Sequence, residues 1–259
     1  MPPEPKSIFD LFDFEKISCN SWSSHKHCPF YITFPEIKAG WFAVRLSWGG
    51  KNIRYEASNV LGDGGLDPLL EAVIDLLPHI GQYDKYFKHL RTHTRFTHDL
   101  EPDQYVWDIQ SNGSTFKLLL RNYPNLEYED DRFYHEMDEE LLELDYEDIT
   151  PEIMQKQVIM AVEINQEVFV AKLYIACLKL LEETGEERYK EEWNEEFPLK
   201  LLHRLEQYIM FVFPHQSGFW DYSDNDYRNR ITGIIGTESF AVVGRKMATV
   251  AELKSKGLW

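Results

Sequence analysis

The sequence predicts an α+β fold, in which an antiparallel sheet built from two hairpins plus a further strand carries three to four packed helices. Three observations predict this class. The pairs Gly49-Gly50 and Asn112-Gly113 each join two stretches in which apolar and polar residues alternate, as in half-buried strands. A β-rich stretch, VIMAVEI, follows later in the chain. Apolar residues at helical spacing then extend to Pro214.

The first hairpin begins with GWFAVRLSW, where Phe42, Val44 and Leu46 alternate with Ala, Arg and Ser. Its two glycines allow the positive φ angles of a tight turn, and NIRYEAS returns as the partner strand. Residues 29–37 are predicted to form a strand before it, although Pro35 interrupts the pattern.

A helix follows the loop GDGGLDP. Asp67 is a suitable N-cap and Pro68 a suitable first helical residue, and Pro78 is expected to end or kink the helix. The second hairpin joins QYVWDIQ to STFKLLLRN through an Asn-Gly turn, the strongest short hairpin signal.

The strand VIMAVEI leads into the longest helix, which is predicted to start near Asn165 and to end at Gly185, a natural C-cap. A short acidic helix, EERYKEEWNEE, and a third helix, FPLKLLHRLEQYIMFVF, follow. We expect one domain over residues 1–214, with residues 215–259 packed on it as an extension. Residues 127–148, the acidic segment, are inserted between the second hairpin and the last strand.

The formal net charge of −17 argues against two classes of partner. Nucleic acids and anionic membranes are recognised through clustered Lys and Arg. No apolar stretch is long enough to cross a membrane, and the start, MPPEPKSIFDLFDFEK, lacks the features of a secretory signal. We therefore expect a cytoplasmic protein with no nucleic-acid or membrane partner. A charge of this size suits a basic protein partner, or only keeps the chain soluble.

The three cysteines are an odd number, so no disulfide framework is predicted. The stretch CNSWSSHKHC holds four residues of zinc-binding types, Cys19, His25, His27 and Cys28. Its spacing is poor for a metal, because His27 and Cys28 are adjacent and their side chains diverge. We expect no metal and no cofactor, and interpret the stretch as a loop that leads into the first strand.

Two other stretches invite a catalytic interpretation. His93 and His98 lie near Asp99 in RTHTRFTHD, but no positioned partner or pocket is visible. We predict that they are exposed or partly buried histidines before a strand. GDGGLDP precedes a helix but lacks the Lys and Ser/Thr of a phosphate-binding loop. No catalytic residue is assigned, which favours a binding protein over an enzyme.

The acidic segment is the main anomaly of the sequence. Twelve of its residues are Asp or Glu, and Arg132 is its only Lys or Arg. Leucines and aromatic residues lie among the carboxylates, and interfaces combine such anchors with a charged rim. One interpretation is a docking surface for a cationic protein, and the other is a surface helix whose leucines pack on the domain. The residues expected to contact a partner are Asp130, Asp131, Tyr134, Glu136, Asp138, Glu139 and Glu140.

Two separated stretches carry a family resemblance. The first is WFAVRLSWGGKNIRYEASNVLGD…LDPLLEAVIDLL followed by YVWDIQSNGSTFKLLLRN, and the second is VFVAKLYIACLKLLEETGEERYKEEWNEEFPLKLLHRLE. Together they resemble uncharacterised bacterial proteins associated with polymorphic and contact-dependent toxin systems, which are immunity proteins or their relatives. The resemblance covers roughly Trp41 to Glu206 and includes no catalytic residue set. It implies a protein that binds one toxin and occludes it.

We therefore expect a non-catalytic immunity protein that binds and neutralises a cationic, nuclease-type toxin domain through an acidic, aromatic-rich surface. Two other functions stay open. One is a metal-dependent hydrolase that uses carboxylates and histidines scattered through the fold. The other is an adaptor that self-associates through the aromatic stretch GFWDYSDNDY. The sequence does not predict the oligomeric state.

Overall fold

The structure, a computed structural model, describes residues 7–19, 28–59, 65–77, 92–101, 103–123 and 156–212. In chain order the elements are a 3-10 helix Ile8–Leu11, β1 Glu15–Lys16, β2 Tyr31–Lys38, β3 Trp41–Trp48, β4 Lys51–Ser58, α1 Leu66–Asp75, β5 His93–Asp99, β6 Gln104–Ser111, β7 Thr115–Tyr123, β8 Val158–Asn165, α2 Gln166–Thr184, α3 Glu186–Trp193 and α4 Leu199–Val212. The predicted α+β class is confirmed. No helix in the described part of the chain is long and apolar enough to cross a membrane.

The first predicted hairpin lies in a three-stranded antiparallel sheet with the order β2-β3-β4. Gly49 and Gly50 form its turn with φ angles of 50° and 83°, as the sequence predicts. The register of β2 shifts between Thr33 and Glu36, where Pro35 lies. Because a bulge on an edge strand tolerates a residue without an N–H, the proline does not end the strand.

The second hairpin, β6 and β7, lies in a separate five-stranded sheet with the order β1-β8-β7-β6-β5. Strands β5 to β8 are antiparallel neighbours, and β1 adds to β8 in parallel. The strands are therefore distributed over two sheets. Strand β5 was not predicted; His93 and His98 lie within it, ahead of β6. His93 is partly buried as predicted, but the prediction that His98 is exposed or partly buried is wrong, because His98 is fully buried.

The long helix α2 has the predicted boundaries. Asn165 Oδ1 accepts a hydrogen bond of 3.0 Å from the N–H of Val168, which caps the N-terminus. Gly185 ends the helix with a φ angle of 74° and donates its N–H to the carbonyl of Leu181. The side chains of α2 share one apolar core with α1, α4 and the inward faces of both sheets.

Helix α1 begins at Leu66 with Gly65 as its N-cap, so the prediction of Asp67 as N-cap is wrong. Gly65 has a φ angle of 83°, and a Cβ atom there would lie 2.8 Å from the indole ring of Trp193. Close approach of α3 therefore requires glycine at this position. The helix ends at Asp75, and Pro78 lies outside the described residues.

Candidate functional site

The connection between β7 and β8 contains the acidic segment. β7 ends at Tyr123 and β8 begins at Val158, and the two strands are antiparallel neighbours with Arg121 opposite Val158. The two ends of the connection therefore meet at one end of the sheet, about 5 Å apart, the spacing of neighbouring strands. Such strands are usually joined by about two to five residues. The strand pairing does not require the long connection.

All seven residues predicted to contact a partner lie in this connection, outside the described residues: Asp130, Asp131, Tyr134, Glu136, Asp138, Glu139 and Glu140. The structure gives the positions of the two ends of the connection. The stretch GFWDYSDNDY also lies outside the described residues.

A buried cluster of charged side chains lies on one face of the five-stranded sheet, on strands β5, β6 and β7. Asp108 of β6 is fully buried. Its Oδ2 accepts a hydrogen bond of 2.7 Å from Arg121 of β7, and its Oδ1 accepts one of 2.7 Å from Nε of Arg95 of β5. Nε2 of His93 lies 3.3 Å from the same Oδ1. Arg95 and Asp108 are cross-strand neighbours in the ladder, which explains how they meet.

The charge state of Asp108 follows from these contacts. Burial alone would raise the pKa of this carboxyl group, but the hydrogen bond from His93 and the charges of Arg95 and Arg121 together hold it well below its usual range. Asp108 is therefore ionised at neutral pH. The Asp108 carboxylate is shared by two guanidinium groups, those of Arg95 and Arg121.

The segment after Ser7 covers this face of the sheet. Ser7 caps the 3-10 helix by accepting from the N–H of Phe9. The ring of Phe9 packs edge-on against His93, with 5.0 Å between ring centroids, and lies with Ile8 on Leu119 in a small second core. This cover excludes water from one side of the charged cluster, which strengthens its ion pairs.

An open groove lies where this segment passes the start of β8. Its volume is about 450 Å³, and its lining is Asp10, Leu11, Phe12, Asp13, Val158 and Ala161. Asp10 and Asp13 are exposed, whereas the apolar lining is half-buried. Val158 is the first residue of β8, so the groove borders the point at which the acidic connection returns to the sheet. An apolar floor with carboxylates at its rim suits the aliphatic stems and charged heads of Lys and Arg.

A second buried network joins the two sheets through His98 of β5. Its Nε2 lies 3.1 Å from the carbonyl oxygen of Gly65, which can only accept, so Nε2 carries the proton. Its Nδ1 then accepts from the hydroxyl of Tyr55 at 2.7 Å, and that oxygen accepts from Nε1 of Trp107 at 3.0 Å. Both ring nitrogens of His98 and the hydroxyl of Tyr55 are thus hydrogen-bonded, and His98 is fully buried. This arrangement serves the packing of the fold, since the imidazole is fully enclosed by the described residues.

The zinc-type residues of CNSWSSHKHC are only partly described. Cys19 and Cys28 are both buried reduced thiols, and His25 and His27 lie outside the described residues. Within the described ranges, no three or more His, Cys, Asp or Glu side chains come together in a way that could hold a metal ion.

No family model matches the chain, and neither a curated protein nor a solved structure matches it.

Proposed function

We propose that the chain is a non-catalytic binding protein, an immunity protein that binds and neutralises a cationic, nuclease-type toxin domain. The acidic segment would supply the negative potential and the aromatic contacts. Such a surface is complementary to an active site that is itself built to bind nucleic acid. Binding would block that site without any turnover by this chain.

The length and charge of the connection between β7 and β8 carry the proposal. The two strands are hydrogen-bonded neighbours, so the fold needs only a short turn between them. The chain instead places there the acidic segment 127–148, whose twelve carboxylates and one arginine account for −11 of its net charge of −17. Long connections that strand pairing does not explain are usually functional or disordered. Concentrated charge accelerates association with an oppositely charged partner.

The groove supports the same partner chemistry. Asp10 and Asp13 line the groove together with Val158, the first residue after the connection within β8, and would add negative charge on the described part of the domain. The apolar floor adds contact area for the stems of Lys and Arg, which charge alone does not provide. A cationic segment could therefore bind both the connection and the groove.

The proposal is tested by measuring association with a basic toxin domain encoded beside this gene, at a series of salt concentrations. In the triple variant Asp138→Lys, Glu139→Lys, Glu140→Lys, we expect association to slow by about tenfold or more at low salt, because steering is lost. The salt dependence of the rate should flatten in the same variant. Inhibition of the toxin's nuclease activity should need more protein.

A matched control variant distinguishes the effect of the position of the charges from the effect of the net charge. Glu182, Glu187 and Glu191 are exposed on α2 and α3, and their reversal to Lys changes the net charge by the same amount. We expect this variant to associate much faster than the first. Equal rates in the two variants would mean that only net charge matters, and an unchanged rate in the first would reject the acidic segment as the docking surface.

A further inference from the structure

Strand β8 has an edge without a neighbouring strand close to the point where the acidic connection returns to the sheet. On the side away from β7, β8 pairs with β1, and this ladder begins at Val162, opposite Glu15. Among the described residues, no strand pairs with this side of residues 158–161, the first four of β8. Edges of this kind are the places where extended peptides add to a sheet.

The backbone of Ala161 faces this edge. The N–H of Ile17 donates to the carbonyl of Glu163 at 2.8 Å, so the N–H and C=O of Glu163 point toward β1. The direction of these groups alternates along a strand, and those of Ala161, two residues earlier, therefore point to the same side. The ladder with β1 begins one residue later, so it contains no acceptor for the N–H of Ala161.

The open groove lies along the same edge. It is lined by residues 10–13, which precede β1, and by Val158 and Ala161 of β8. Its volume of about 450 Å³ lies within the range of sites that bind small ligands, about 300–1,000 Å³. An extended peptide of three or four residues is about 10–13 Å long, which matches the length of the unpaired edge.

The lining of the groove indicates which peptide would fit. Asp10 and Asp13 are exposed carboxylates, and Leu11 and Phe12 between them are half-buried. Successive side chains of an extended peptide point to opposite sides. Basic side chains at alternate positions could therefore reach the carboxylates, while apolar side chains between them contact the apolar lining. The groove thus fits a segment in which Lys or Arg alternates with apolar residues.

We propose that an extended, basic segment of the partner protein adds as a strand to the edge of β8 at residues 158–161. This inference deepens the proposed function, on which it rests for the partner, because the segment belongs to the cationic protein that the acidic segment attracts. The N–H of Ala161 donates to a carbonyl of the added segment, and Asp10 and Asp13 bind its Lys or Arg side chains. Main-chain hydrogen bonds supply affinity, and the carboxylates select for positive charge.

The test titrates a short synthetic peptide of alternating Lys and Val into the isotopically labelled full chain, followed by NMR. Physiological salt screens the attraction between distant exposed charges. We expect the amide resonance of Ala161 to shift and its hydrogen exchange to slow, because its N–H gains an acceptor. The N–H of Met160 points toward β7 by the same alternation, so its exchange should stay unchanged. A peptide of alternating Glu and Val should not bind.

Variants of the chain separate strand addition from attraction by charge. Ala161→Pro removes the N–H on the open edge and leaves the ladder with β7 intact, and proline is tolerated at such positions. We expect it to bind the Lys-Val peptide about tenfold more weakly. Asp13→Lys should weaken binding similarly. Its matched control is Glu187→Lys, which is exposed on α3, changes the net charge equally and should bind as the wild type does.

The inference is overturned if the amide of Ala161 stays unperturbed at saturating peptide, or if Glu187→Lys weakens binding as much as Asp13→Lys. These two results do not depend on whether Ala161→Pro folds. The toxin domain distinguishes this inference from the proposed function. Slow association of the triple variant at Asp138, Glu139 and Glu140, together with unchanged affinity of folded Ala161→Pro, would support the acidic segment as the docking surface and reject strand addition.

Discussion

At the residue scale, His98 makes the stability of the protein depend on pH. Burial lowers its pKa to about 4 from a usual 6.5. The unfolded chain therefore binds the proton first as the pH falls. The stabilisation is fully present above about pH 6.5 and is lost as the pH falls to about 4, and it amounts to ~3 kcal/mol. Urea unfolding measured at a series of pH values from 7 to 4 gives the dependence of the free energy of unfolding on pH, which checks this prediction.

The substitution His98→Gln isolates the effect from other groups. Burial raises the pKa of Asp67 to about 6, so this carboxyl group gives a slope of the opposite sign in an overlapping range. We expect the variant to be less stable at pH 7 and to lose less stability than the wild type on acidification. If the free energy of unfolding changes with pH in the same way in the wild type and in His98→Gln, then His98 is not the group responsible.

Asp108 gives a second prediction at the residue scale. Its replacement by Asn removes the buried carboxylate that faces Arg121, whose side chain is 3% exposed. We expect a loss of about 3 kcal/mol or more in the free energy of unfolding. Arg95→Gln is the control, because the side chain of Arg95 is 30% exposed and its charge is better solvated. An equal or larger loss in the control would contradict the assigned role of burial.

The buried polar residues are the part that the sequence did not predict. Asp108 lies between the apolar residues Trp107 and Ile109 of the same strand. In a strand with such alternation, the charged residue is expected to face solvent. The face of the sheet that carries Asp108 is covered by Ile8 and Phe9, which lie far from it in the sequence. Only the folded structure brings these residues together, so their burial could not be read from a local pattern.

At the element scale, elements with a strong local signal were predicted and those that depend on a distant partner were not. The glycine turn of the first hairpin and the end of α2 at Gly185 were predicted because they are chemical requirements of a few adjacent residues. Strand β5, HTRFTHD, has one apolar residue, Phe96, and depends on its ladder with β6. Strand β1 has two residues and exists only through β8.

The cap of α2 gives a prediction at this scale. Asn165→Ala removes the acceptor for the N–H of Val168, and we expect a loss of about 1 kcal/mol in the free energy of unfolding. Asn165→Ser keeps an acceptor at the same position and should lose clearly less. If both variants lose the same amount, the contribution of Asn165 comes from its place at the end of β8 and not from capping.

At the scale of the whole molecule, removing residues 127–148 distinguishes the two interpretations of the acidic segment. If the segment serves only a partner, the shorter connection should leave stability unchanged or raise it by ~1 kcal/mol, since a shorter loop is easier to close. Binding to the toxin domain should be lost. A large loss of stability would mean instead that its leucines pack on the domain. Urea unfolding of the deletion variant and of the full chain gives the answer.

The candidate site was predictable only in part at this scale. The density of carboxylates is visible in the sequence without any structure. That the segment joins two hydrogen-bonded neighbours follows from the register of β7 and β8, which single-sequence patterns do not specify. The groove beside it needs Asp10 and Asp13 to lie next to Val158, a contact between distant parts of the chain.

The pairing of β7 with β8 allows the connection between them to vary in length and sequence. The ladder holds the two attachment points side by side, so an inserted peptide has no distance to span and imposes no particular length on the scaffold. Segments of other lengths and compositions could be transplanted there while the hydrophobic interior is kept. Under the proposed function, exchange of this segment alone would redirect binding from one target to another without redesign of the sheet.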